Sequence, residues 1–112
     1  MSPITTHVLD TSRGSPAAGL RVELQVRSEG EWKSIGAGVT DASGRCATLM
    51  EEGKLQAGGY RLLFDAGSYF KKQDTETFYS EIPIVFEILR PQEHYHVPLL
   101  INPFGYSTYR GN

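Results

Sequence analysis

From residue 20 to residue 27 the chain alternates without a break. Leu20, Val22, Leu24 and Val26 are apolar, and Arg21, Glu23, Gln25 and Arg27 between them are charged or polar. Successive side chains of a strand point to opposite faces, so a period of two predicts a strand with one buried and one wetted face. Ser28-Glu29-Gly30-Glu31 predicts a turn, and residues 32–40 the returning strand, loosened by Gly36 and Gly38. Asp41-Ala42-Ser43-Gly44 predicts a second turn, leading into a short strand at residues 45–49. Further strands are expected at 4–9, 60–65, 82–89, 95–101 and 106–110. One short helix is expected on the surface at 68–74. Seven or eight short strands parted by Gly, Pro, Asp and Ser turns predict an all-β sandwich.

Two of these strands carry more apolar surface than one inward face requires. In 82–89, Ile82, Ile84, Phe86 and Ile88 fill one face, while Pro83, Val85 and Leu89 remain on the other. In 95–101, Tyr95, Val97, Leu99 and Ile101 face inward, leaving His94, His96, Pro98 and Leu100 opposite. Pro98 cannot donate to a ladder, so its face belongs near a sheet edge or to an irregular contact. Apolar outer faces on short strands call for a second subunit to cover them, so an oligomer is expected.

Length and charge narrow the function classes. At 112 residues the chain predicts one domain, 1–112. Eleven Lys and Arg against thirteen Asp and Glu leave a net charge of −2, with no basic surplus to neutralise a phosphate backbone. Nucleic acid is therefore excluded as a partner. No apolar run approaches the roughly 18 residues a membrane span needs. Residues 1–7 lack the basic and apolar regions of a secretory signal. The single Cys46 cannot form an internal disulfide, which fits a reducing compartment. A cytoplasmic location is expected.

Three histidines are the first candidates for chemistry: His7, His94 and His96. In a strand, His94 and His96 point to the same side, and with His7 they could form a three-histidine zinc site. Local hydrogen bonding is the favoured reading, because a spacing of two is common and carries no orienting partner. A histidine could instead activate water, since imidazole titrates near neutrality. No Gly-x-Ser-x-Gly elbow and no glycine-rich phosphate loop occurs. Arg45 follows a turn glycine, where a guanidinium could clamp a planar amide or carbonyl or simply face solvent. Cys46 reads as a small half-buried residue rather than a nucleophile. The tail 106–112, with Tyr106, Tyr109 and Arg110, is less polar than a frayed end needs to be.

Four segments in order resemble one family. His7-Val8-Leu9-Asp10 followed by residues 14–19, Gly-Ser-Pro-Ala-Ala-Gly, is similar to the opening of the transthyretin-like family. Residues 40–45, 94–100 and 106–111 resemble its enzymatic branch, the 5-hydroxyisourate hydrolases. The resemblance runs from Thr6 to the last residue. It implies a prealbumin-like β-sandwich of two four-stranded sheets with one short helix. It also implies a homotetramer, a dimer of dimers, with paired sites in a central groove. The implied reaction is hydrolysis of a small-molecule substrate, 5-hydroxyisourate, to 2-oxo-4-hydroxy-4-carboxy-5-ureidoimidazoline in urate catabolism, without cofactor or metal. The resemblance makes His7, Arg45 and His96 catalytic, and gives substrate binding to His7, Arg45, Tyr109 and Arg110. Water activation falls to His7 or His96, with His7 taken first. Asn112 departs from the branch, which has Ser there. The carrier branch is the alternative, resembled through residues 14–17 and 106–108; a passive channel does not need His7, Arg45, His96 and Tyr109 together.

Overall fold

The computed structural model describes residues 2–112. In chain order its elements are β1 (Ile4–Asp10), β2 (Ser15–Pro16), β3 (Arg21–Ser28), β4 (Glu31–Val39), β5 (Arg45–Cys46), β6 (Gly58–Asp65), α1 (Ala66–Lys71), β7 (Glu81–Ile88), β8 (Tyr95–Asn102) and β9 (Gly105–Thr108). One sheet has the order β4-β3-β6-β7. The other has the order β2-β1-β8-β9, with β5 as a fifth member paired to β1. β1 and β8 run parallel, and the remaining pairs are antiparallel.

The alternation in β3 does what its period demands, since Val22 and Leu24 are fully buried. They share one core cluster with Leu62, Phe64 and Ile82 of their own sheet and Val8, Leu99 and Ile101 of the other. Burying a side chain of this size is worth about 1.5–3 kcal/mol, so this core dominates the stability. Ionised or not, a carboxyl inside it needs partners. Asp10, fully buried on β1, has them: the Ser12 amide and hydroxyl donate to Oδ1 at 3.0 and 2.6 Å, and the Tyr69 hydroxyl to Oδ2 at 2.8 Å.

The structure corrects the helix and two strand bounds, and decides between the two places expected for Pro98. The helix begins at Ala66, where the Asp65 carboxylate caps it by accepting from the Ser68 amide. Its aromatics do not lie on the surface: Phe70 is 1% exposed, and Tyr69 reaches inward to Asp10. Burial, then that hydrogen bond, pushes the Tyr69 phenol above its ordinary pKa. The strand expected at 45–49 pairs only at Arg45–Cys46, and the last strand stops at Thr108. Pro98 does not sit on an edge strand, because β8 lies between β1 and β9. An irregular contact accommodates it instead. Its carbonyl accepts from the Thr108 hydroxyl at 2.7 Å, on the side where the β9 ladder has ended.

Candidate active site

The outer face of the five-stranded sheet gathers the candidate residues. On β1, Ile4, Thr6, Val8 and Asp10 take the core side, which leaves Thr5, His7 and Leu9 outward. The parallel register sets Thr5 opposite His96 and His7 opposite Pro98. The antiparallel register with β5 sets His7 opposite Arg45. Paired residues on neighbouring strands lie about 5 Å apart on the same face. Three strands far apart in sequence thus deliver His7, Arg45 and His96 to one patch.

The turn before β5 fixes two of these groups. The Asp41 carboxylate accepts from the Ser43 amide (2.9 Å), the Ser43 hydroxyl (2.7 Å) and the Arg45 amide (3.0 Å). The Arg45 amide bond, then the Ser43 hydroxyl, holds the Asp41 carboxyl below its usual range. Gly44 is required there. Its φ is +80°, and a Cβ would lie 2.4 Å from the Val8 carbonyl oxygen. So shaped, the turn presents the Ser43 carbonyl to His7, whose Nε2–H donates to it at 2.9 Å. That bond fixes the tautomer: a neutral His7 keeps its lone pair on Nδ1. Arg45 is exposed, and no hydrogen bond or ion pair engages its guanidinium among the described residues.

His96 is partly buried, and its Nδ1 lies 2.8 Å from the Thr5 hydroxyl. The same hydroxyl oxygen is 3.2 Å from Nε2 of the exposed His94. Burial, then the positive charges of Arg45, His94 and His7, lowers the His96 pKa below its ordinary value. His96 is therefore a neutral imidazole around pH 7. Its Nε2 has no protein partner among the described residues.

The tail crosses this patch. The Gly111 amide donates to the His96 carbonyl at 2.8 Å, an isolated bridge beyond the end of β9. Arg110 is anchored beside the patch. Its guanidinium stacks 4.3 Å from the Tyr95 ring centroid and donates to Glu93 at 3.1 Å and to the His94 carbonyl at 3.4 Å. Tyr109, 60% exposed, borders a cleft of about 320 Å³ with Val85, Leu89 and Val97. So the structure joins His7, Arg45 and His96, ties Arg110 to Glu93 and Tyr95, and sets Tyr109 at the cleft. Thr5 escaped the sequence reading. Its place on the His7 face follows from the period of two, but its contact with His96 depends on a strand pairing 91 residues away.

No group of three or more His, Cys, Asp or Glu is placed to hold a metal ion among the described residues. His94 and His96 converge on Thr5 instead. What the patch offers is an unprotonated imidazole nitrogen, a second imidazole of fixed tautomer and an exposed guanidinium without a hydrogen bond or ion pair among the described residues. Together these can deprotonate water and stabilise an oxyanion.

A model of the HIUase/Transthyretin family matches residues 4–111. A 5-hydroxyisourate hydrolase of Salmonella dublin is 42% identical over 109 residues, which cover 97% of this chain and 80% of that protein. The structure of Klebsiella pneumoniae 5-hydroxyisourate hydrolase superposes with a TM-score of 0.84 at 40% identity, covering 97% of this chain and 98% of that one. Sea bream transthyretin in complex with thyroxine superposes with a TM-score of 0.91 at 33% identity, covering 97% and 94%.

Proposed function

The chain belongs to the HIUase/Transthyretin family, and we propose that within it this protein is a hydrolase of 5-hydroxyisourate. Likeness of fold serves hydrolase and carrier equally. The observation that carries the hydrolase reading is the meeting of His7, His96 and the unpaired Arg45 on one sheet face. A carrier of apolar ligands gains nothing from an exposed cation beside two imidazoles.

The reaction opens a cyclic amide. His96 Nε2 takes a proton from water as the oxygen adds to the ring carbonyl carbon. Charge develops on the carbonyl oxygen, where the Arg45 guanidinium stabilises it. Collapse breaks the bond from carbonyl carbon to ring nitrogen, and the nitrogen leaves with the proton held by His96. The products are one N–H and one carboxylic acid that ionises to solvent, giving 2-oxo-4-hydroxy-4-carboxy-5-ureidoimidazoline, with no net change at the protein. His96 replaces His7 as the first choice of base for two reasons. Its lowered pKa keeps it unprotonated, and its Nε2 is unoccupied. His7, held by the Ser43 carbonyl, orients the ring or the water through Nδ1. Arg110 holds the tail in place, and Tyr109, which within one chain faces the cleft lined by Val85 and Val97, reaches a substrate only where the assembly brings that cleft to a site.

The working unit is a homotetramer whose groove encloses paired sites. Support comes from Val85 and Leu89, 51% and 70% exposed, and from the unpaired ladder edges of β7 and β9. The family match across residues 4–111 supports a single domain. A free, buried Cys46 fits a reducing, cytoplasmic setting. The test is a spectroscopic assay on freshly generated 5-hydroxyisourate, corrected for its spontaneous decay.

A further inference from the structure

We propose that Thr5 is a positioning residue whose hydroxyl decides which ring nitrogen of His96 is free to exchange a proton, and so couples His96 to His94. The inference rests on the hydrolase reading for its kinetic consequence, but its geometry stands alone. One oxygen is shared by two imidazole nitrogens, His96 Nδ1 at 2.8 Å and His94 Nε2 at 3.2 Å. A hydroxyl has a single proton to give and two lone pairs to receive with. It can donate to at most one of the two nitrogens, and any nitrogen it does not donate to must donate to it.

Two arrangements follow. If Thr5 donates to His94 Nε2, then His96 donates Nδ1–H to Thr5, and its Nε2 carries the lone pair. That is the form able to take a proton from water. If His94 donates Nε2–H, then Thr5 donates to His96 Nδ1, and a neutral His96 carries its proton on Nε2. That form cannot act as the base. Protonated His94 has a hydrogen on both nitrogens, so it rules out the first arrangement and leaves the Thr5 proton available to His96 Nδ1. An exposed imidazole thus reports its state to the partly buried one through a threonine that is only 7% exposed. The stiff χ1 of a β-branched side chain suits this task on a strand.

The groups facing His96 do not obscure the effect. His7 on β1, Arg45 on β5 and His94 at the start of β8 act on its charge. The tail brings the Gly111 amide to its carbonyl, and Arg110 donates to the carbonyl of His94. None of these is placed to hydrogen-bond His96 Nδ1 in place of Thr5 among the described residues.

Thr5→Val and Thr5→Ser separate this role from packing, since Val keeps the shape and Ser keeps the hydroxyl. Ring ¹⁵N shifts give the tautomer of His96, and steady-state rates with 5-hydroxyisourate give kcat and KM. In the native protein with His94 unprotonated, the Nδ1–H tautomer of His96 should dominate. Thr5→Val should mix the tautomers and lower kcat by about 10-fold, leaving KM within about 2-fold, as expected for a disturbed proton transfer. Thr5→Ser should restore both readings. A Thr5→Val protein with native His96 shifts, or with mixed tautomers and native kcat, overturns the proposal. A native protein inert to 5-hydroxyisourate overturns the hydrolase reading alone, because the shifts still decide what Thr5 does.

Discussion

Replacing Gly111 by Ala tests whether the tail completes the site or merely ends the chain. A Cβ there would lie 2.8 Å from His96 Cδ2 and 3.0 Å from Pro98 Cγ, against ordinary contacts that begin at 3.4 Å. The φ of Gly111 is not positive, so the contact is the whole perturbation. Pro98 cannot yield, being a buried ring on a strand paired on both sides. His96 is tethered through Nδ1. The tail must therefore lift by the shortfall, 3.4 − 2.8 = 0.6 Å. That movement strains the 2.8 Å bond from the Gly111 amide to the His96 carbonyl. Losing such a bond costs about 0.5–1.5 kcal/mol, and loosening the exposed Arg110–Glu93 pair adds at most about 1 kcal/mol. The loss is confined to a terminal segment, so Tm should fall by no more than a few degrees. Activity should suffer more, because misplacing site groups by a fraction of an ångström can cost about 10- to 100-fold. The paired assay is kcat/KM on 5-hydroxyisourate beside a thermal melt. A Gly111→Ala protein with native kcat/KM would refute the claim that the tail completes the site.

Arg45→Gln should lower kcat/KM by about 10²–10³-fold, the range for losing a group that stabilises an oxyanion. It should also move the acid limb of the profile. A lowered His96 pKa means that the native enzyme loses activity only as pH falls through a value below about 6.5. Removing the Arg45 cation raises that pKa, so the limb should shift to higher pH; an unmoved limb would assign it to another group. Leu89→Glu places a charge on the exposed apolar rim of the β7 cleft. It should split the proposed tetramer in sedimentation velocity, and a native protein that sediments as a monomer at micromolar concentration would reject the assembly.

Where a local period decides structure, the sequence is a sufficient guide. The alternation at residues 20–24 and the Asp41–Gly44 turn are local facts and stand as read, but a bulge between Leu24 and Gln25 leaves Gln25 buried and Val26 only partly so. Tyr69 and Phe70 misled because a helix of six residues is too short to display which face turns inward. The two lysines beside them are exposed, as their charge requires. Residues 47–49 carry strand-compatible side chains but lack a partner in the β1 ladder, which only the fold reveals. The site shows the same divide. His7, Arg45 and His96 are legible through resemblance, and the fold brings them together. The order of the two histidines was not legible. Nothing in the chain announces that the Ser43 carbonyl takes His7 Nε2, or that Thr5 meets His96 across a parallel pair.

Hydrolysis of freshly generated 5-hydroxyisourate by the native protein and by His96→Asn, followed across pH and corrected for spontaneous decay, tests the central claim most directly. The native protein should accelerate ring opening, with an acid limb below about pH 6.5. His96→Asn should fall by about 10²-fold or more, the loss expected when acid–base catalysis is removed. No acceleration by the native protein, or a native rate in His96→Asn, would contradict the account.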